Sequence, residues 1–316
     1  MRLFGSSAQS PFAGYANAPF SVAHRRRKVV AVVALVLAVL VCLAIVVADT
    51  FFVRLRQVVV PVPGLSREIN VLQVTDLGSR RFGAHQSAIS RLLGTRRFDA
   101  IVLTGDMLTD DQADVQRYQK VWELADAVRL HSEHVWYLPG NHDAPDLGAS
   151  LTAHGVSTLP TDSAVPLDAS DASATQAALV YGASSATIAA AKGAGSRLLL
   201  IASHTPPDKR RLAAGSALGG GVHFFIAGHT HGGQVRLPFI GALAAPMSWI
   251  GEERPPVYGT EVTVLPDLRG RLVDGMYERD GQRVYVSTGL DVRLIPFRFL
   301  DPVEIVAYRF VPAPVR

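Results

Sequence analysis

Five short apolar runs in this chain each stop at a residue able to bind a metal, and that arrangement narrows the folds open to it. The run 71–75 ends on Asp76, 100–104 on Gly105-Asp106, and 135–138 on Pro139-Gly140-Asn141-His142-Asp143. The run 198–202 ends on Ser203-His204, and 224–227 leads through Gly228 to His229 and His231. Apolar runs of this length, closed by Gly or Pro, read as buried strands feeding tight turns. Open α/β sheets place their ligands at such strand ends. An isolated pair of loop histidines is more often plain surface polarity. Here the pair is the fifth instance of one construction. Buried carboxylates and imidazoles need partners, so five strands bringing these groups to one edge of one sheet point to a metal centre.

Helical periodicity fills the gaps between the first runs. Ile89, Leu92 and Leu93 make a short stripe in 86–93, and Val115, Tyr118, Trp122, Ala125 and Val128 make a longer one in 114–130. A third helix is expected after His142, with Leu147 and Leu151 inward. Residues 161–196 are rich in Ala, Ser and Asp with conflicting signals, a strand at 178–181 and a helix at 186–191 being the readings. Beyond the histidine pair the pattern turns to short β-prone runs at 262–265, 284–287 and 303–308. A βα-alternating first half and a β-rich second half argue for an α/β fold of two packed sheets with helices outside.

Residues 29–48 are twenty consecutive apolar residues without charge. As a helix they rise about 30 Å, the thickness of a bilayer core. A cleaved leader is the alternative, but its apolar region usually runs about 7 to 15 residues. The cationic block from His24 to Lys28 puts the preceding end in the cytoplasm. The expected organisation is a disordered cytoplasmic tail at 1–28, a transmembrane helix at 29–48, a stiff linker at 49–64 carrying Pro61 and Pro63, and a globular domain at 65–311 on the extracytoplasmic side. The formal charge of +4 belongs to the N-terminus. Residues 1–60 hold seven Arg and Lys against Asp49, which leaves 24 basic and 26 acidic residues elsewhere. The basic balance is therefore no sign of nucleic-acid binding, and none is expected. The sole cysteine, Cys42, excludes an intramolecular disulfide and a Cys-based zinc site.

The blocks GDMLTD (105–110), GNHD (140–143), Ser203-His204 and GHTH (228–231) resemble, in order, those of the calcineurin-like metallophosphoesterases. GHTHGGQVRLPFIGAL and STGLDVRLIPFRFLDPVEI further resemble the membrane-associated bacterial branch of that superfamily. The resemblance implies a four-layer α/β/β/α sandwich behind the transmembrane helix and a centre of two divalent metal ions. It further implies that Asp106 bridges the metals, that Asp76 and His231 hold the first, and that Asn141, His204 and His229 hold the second. Such a centre polarises phosphoryl oxygens and activates water. The donor set suits Mn, Fe or Zn without selecting one. In the same reading His142 stands outside the ligands as proton donor to the leaving group, oriented by Asp143. Asp110 is either a loop or capping Asp or a hydrogen bonder behind the ligands. Arg80 and Arg81 are either a solvated loop or contacts for an anionic substrate.

The first block departs from the family. Its Asp-x-His pattern reads Asp76-Leu77-Gly78 here, so the first metal loses a side-chain ligand. Two expectations follow. One is a metal-dependent phosphoesterase of a small-molecule or lipid phosphomono- or phosphodiester at the outer membrane face, with water or a neighbour such as His85 filling the gap. The other is a degenerate, non-catalytic protein that binds metal or a phosphorylated ligand.

Overall fold

The computed structural model describes residues 20–109, 114–161, 163–167, 176–182, 196–208, 211–213, 221–242, 244–246, 262–264, 272–279, 282–293 and 295–314. Asp110 and the expected helix at 186–191 lie outside these residues. The chain divides into two units, Met1–Ala44 and Ile45–Arg316.

The first unit carries most of helix α1 (Phe20–Phe51). The stretch His24–Phe51 is long and apolar enough to cross a membrane. Its large apolar residues from Val29 to Leu43 are at least half exposed, Val30 at 66%. A helix that is apolar all round over this length is the pattern of a membrane span. The helix starts at Phe20, so the basic block at 24–28, expected in a disordered tail, is helical.

The second unit begins with the end of α1 and continues into strand β1 (Arg54–Pro63). Strands β2 (Ile69–Val74), β3 (Ala100–Thr104), β4 (Val135–Leu138) and β5 (Ser157–Thr158) follow, with helices α2 (Ser87–Leu93), α3 (Val115–Arg129) and α4 (Leu147–Thr152) between them. The later strands are β6 (Ala164–Pro166), β7 (Ala177–Tyr181), β8 (Leu198–Ala202), β9 (Val222–Ala227), β10 (Arg236–Leu237), β11 (Gly241–Ala242), β12 (Ala244–Pro246), β13 (Val262–Val264), β14 (Gly275–Arg279), β15 (Gln282–Val286) and β16 (Glu304–Ala313). They form two six-stranded sheets, ordered β1-β16-β2-β3-β4-β5 and β14-β15-β9-β8-β7-β6, and two small hairpins. In the first sheet β2 to β5 run parallel, and in the second β7, β8, β9 and β15 do.

Side-chain alternation along the strands builds the layers. Val71, Val102, Leu200, Phe224, Ile226 and Tyr308 meet between the two sheets. The alternate residues Leu72, Val74, Ile101 and Leu103 face outward onto Ile89 and Leu93 of α2, Leu124 and Val128 of α3, and Leu147 and Leu151 of α4. On the outer face of the second sheet, Val180, Leu199, Ile201 and Phe225 gather around Leu212. The sandwich of two sheets with helices outside is the expected α/β architecture.

Residues 54–63, expected as part of a linker, are instead an edge strand. They pair in parallel with β16, Val60 opposite Phe310. Val58, Val60 and Val62 alternate inward, which is the period of a strand. Pro61 and Pro63 are tolerated because an edge strand needs its N–H groups on one side only. The last turn of α1 is tied to the same region. Asp49 O accepts from Val303 N–H at 2.9 Å, Asp49 Oδ1 from Arg54 at 2.8 Å, and Thr50 Oγ1 from Arg298 N–H at 2.9 Å.

Candidate metal centre

The ligand-type residues stand at the C-terminal ends of strands from both sheets, not at one edge of one sheet. Asp76 follows β2, Asp106 follows β3 and Asn141 follows β4 in the first sheet; His204 follows β8, and His229 and His231 follow β9, in the second. Periodicity marks a strand as buried but does not say which sheet it joins, so only the sandwich brings the two rows together. The backbone turns sharply at each place. Asp76, Asp106, His229 and His231 all take positive φ, at 51°, 52°, 71° and 49°. Each such residue costs of order 1–3 kcal/mol and persists where the surroundings enforce it. Gly228 meets a different constraint: a Cβ there would overlap Thr75 Oγ1 and Asp76 Oδ2.

Two ligand groups result, and they share Asp106. Asp106, His204 and His229 form one, and Asp76, Asp106 and His231 the other, the donor atoms of each lying within 4.8 Å of one another. His204 Nδ1 faces the Thr104 carbonyl oxygen at 3.0 Å and donates to it, which turns Nε2 toward the centre. Asn141 Oδ1 at 3.0 Å, His229 Nδ1 at 3.1 Å and Asp106 Oδ2 at 3.2 Å converge on that nitrogen. Four lone-pair atoms around so small a volume suit a cation. In the other group His231 Nε2 lies 3.8 Å from Asp76 Oδ1, and His231 Nδ1 is buried with no hydrogen-bond partner among the described residues. Asp76, Asp106, His204 and His231 are buried, whereas Asn141 is exposed and His142 and His229 are half-buried. The centre therefore has a closed floor and an open side.

The charges are those of a site built around missing positive charge. Burial, with Asp106 alongside, pushes the Asp76 carboxyl up to about 7, although it accepts His229 N–H at 3.1 Å and Thr75 Oγ1–H at 2.8 Å. Burial opposes ionisation of Asp106 too, but His204 overcomes it and holds that carboxyl below its usual range. Conversely, burial disfavours a charged His204, yet Asp106 and Asp76 raise it to about 9. Burial and then His204 push His229 down to about 3, and burial and then Arg298 keep His231 neutral. The neutral imidazoles of His229 and His231 are in the form that ligates metals, and in the metal-free centre His204 carries the positive charge that Asp106 would otherwise lack.

A family model for calcineurin-like phosphoesterase matches residues 69–233. The chain belongs to this family. The chain is also 33% identical over 87 residues to a Bacillus subtilis (strain 168) protein named "Uncharacterized metallophosphoesterase YkuE". That match covers 28% of this chain and 23% of the relative.

The side chains around the two groups have definite partners. Asp143 accepts from Leu108 N–H and Gly140 N–H at 2.9 Å and from Tyr137 O–H at 3.0 Å, so it shapes the loop. On the His142 ring, Arg293 Nη2 donates to Nδ1 at 2.9 Å, while His142 N–H donates to Asp106 Oδ1 at 2.9 Å. Arg80 and Arg81 are engaged internally. Arg80 donates to the Thr50 and Leu290 carbonyls and lies over the Phe82 ring, and Arg81 pairs with Glu123. His85 is not the missing ligand: it is exposed, with Nδ1 3.3 Å from Glu123. Arg293 was missed in the sequence because a lone arginine between apolar residues carries no motif. Arg298 was missed too; fully buried, it donates to the His231, Thr288 and Asp291 carbonyls and pairs with Asp301 at 3.2 Å.

Proposed function

We propose that this chain is a metal-dependent phosphoesterase hydrolysing phosphomono- or phosphodiesters, held in the membrane by residues 29–48 with its sandwich on the extracytoplasmic side. The observation that carries the reading is the pair of ligand groups sharing Asp106 beneath an open side where His142 stands. Asp106, shared by both groups, would serve both positions, Asp76 and His231 would hold the first, and Asn141, His204 and His229 would hold the second. Divalent cations there, of the Mn, Fe or Zn type, would polarise phosphoryl oxygens and activate water.

The remaining work belongs to side chains outside the ligand groups. Because Nδ1 of His142 accepts from Arg293, the neutral ring carries its proton on Nε2. That proton is placed for a leaving-group oxygen, and the Arg293 guanidinium adds a fixed positive charge for the phosphoryl group. The His142 N–H to Asp106 contact fixes the distance between this donor and the ligands. Asp143 serves as a positioning residue for the turn. A small-molecule or lipid phosphoester fits the open side and the membrane attachment equally.

The test uses the full chain in detergent with Mn²⁺, a chromogenic monoester and a chromogenic diester. Asp106→Ala and His229→Ala should each lower bound metal and abolish hydrolysis, since both remove a donor. Metal binding by the parent chain without turnover of either ester would favour a non-catalytic binding protein.

A further inference from the structure

A hairpin a few residues beyond His231 ends in apolar side chains that no described residue covers. Strands β10 and β11 meet over the turn Pro238-Phe239-Ile240, where Phe239 is wholly exposed and Ile240 largely so. Turn tips ordinarily carry Gly, Asn, Asp or Ser, whose chemistry suits the bend. Here Phe239 takes φ +68°, a region that bulky side chains avoid, so turn chemistry does not account for it. Residues 237–250 hold no charged residue. An uncharged stretch of that length falls short of a bilayer span, and a segment lying in the membrane interface is one of the forms it takes.

The hairpin is laced to the end of α1. Arg236 N–H donates to the Phe299 carbonyl at 2.9 Å and Phe299 N–H to the Gln234 carbonyl at 3.0 Å, which ties β10 to the segment 295–300. One residue back, Arg298 N–H donates to Thr50 Oγ1 at 2.9 Å. Residues from Ile45 onward belong to the same unit as the sandwich, so this last turn of α1 has a fixed place on it. Thr50 stands just past the apolar stretch 29–48, about 3 Å further along a helix, and so marks the level of the membrane surface. The same Arg298 also reaches the metal centre, its Nη1 donating to the His231 carbonyl at 3.2 Å. A single side chain therefore joins the centre to the surface level. Phe51 and Phe52 at the end of α1, and Phe297 and Leu300 on the neighbouring segment, are exposed as well.

Resting on the reading that residues 29–48 span the membrane, we propose that this face docks on the same bilayer, with Phe239 and Ile240 inserted at the boundary between headgroups and acyl chains. The occupant is lipid because α1 delivers the face to the bilayer by covalent continuity, and a soluble partner would have to displace what the tether already holds there. The side chains suit that setting. Phe239 and Ile240 carry no polar side-chain atom that needs a partner in hydrocarbon, and Arg236 at the foot of the hairpin is paired with Asp274. A helix alone would let the sandwich swing about its end. A second attachment at the hairpin tip fixes the tilt and holds the metal centre within reach of phosphoesters in the headgroup layer.

The experiment puts a nitroxide label on one cysteine at a time, in a Cys42→Ala background, with the full chain in vesicles of phosphatidylcholine and phosphatidylglycerol. It reads the label's access to oxygen, which concentrates in lipid, and to a water-soluble nickel chelate. A label on Phe239→Cys should lie about 5–10 Å below the headgroup boundary, the usual reach of an interfacial apolar surface. A label on Leu130→Cys, at the exposed C-terminal end of α3, should stay open to the chelate. A Phe239→Cys label as open to the chelate as the one at Leu130 overturns the proposal. So does a label closed to both reagents, which means that protein covers the tip. Ile240→Cys is read by the same criteria if Phe239→Cys lowers the unfolding temperature. Leu37→Cys, within the span, should report hydrocarbon. Water at that position would overturn the span and the docking with it, whereas hydrocarbon at Leu37 with water at Phe239 overturns the docking alone.

Discussion

Nη2 of Arg293 lies 2.9 Å from Nδ1 of His142, joining the loop after β15 to the loop after β4 across the open side of the centre. Removing the guanidinium deletes a charge-assisted hydrogen bond of about 1.5–3 kcal/mol. Arg293→Ala should therefore lower kcat/KM about 10- to 100-fold with metal content intact. His142→Ala should lower kcat further, by about 10²- to 10⁴-fold, also with metal retained. Loss of metal in either variant, read by metal analysis of the purified chain, would place that residue among the ligands.

His204 sets a pH dependence of the metal-free chain. Its folded value of about 9 lies above the ordinary 6.5 because, against burial, Asp106 and Asp76 favour its charged form. The associated stabilisation is fully present below about pH 6.5 and is lost as pH rises through about 9. The unfolding temperature in chelator should fall across that window, and His204→Gln should flatten the fall. In Mn²⁺ the trend should disappear, since a ligating imidazole carries no such proton.

Arg298 is wholly buried and paired with Asp301, and it also donates to three carbonyls around His231 and Asp291. Taking away one partner of a buried pair costs about 3–5 kcal/mol. Arg298→Met should lower stability by that order in denaturant unfolding. A change under 1 kcal/mol would mean that water or another donor satisfies Asp301 and the carbonyls.

The topology is tested on whole cells. A cysteine introduced at Thr260, in a Cys42→Ala background, should react with an impermeant maleimide before the membrane is broken. Protection until lysis would put the sandwich in the cytoplasm.

The strands and the ligand-type residues at their ends were legible from local pattern alone. Buried strands leave uninterrupted apolar runs, and chemistry-bearing residues cannot be hidden inside them, so the transitions at Asp76, Asp106, Asn141, His204 and His229 mark both the strand ends and the centre. The apolar span at 29–48 was equally local. Other features depended on which segments the folded chain brings together. Only the sandwich places β2 to β4 of one sheet opposite β8 and β9 of the other. The linker reading of 49–64 failed because edge position, which excuses Pro61 and Pro63, is a property of the sheet and not of the segment. The empty place at Gly78 was visible as a missing histidine. Its occupant was not, because Asp291 reaches it from the far end of the chain, on a loop held by the Leu290 N–H and the Arg298 guanidinium, contacts that leave no periodic trace in the sequence.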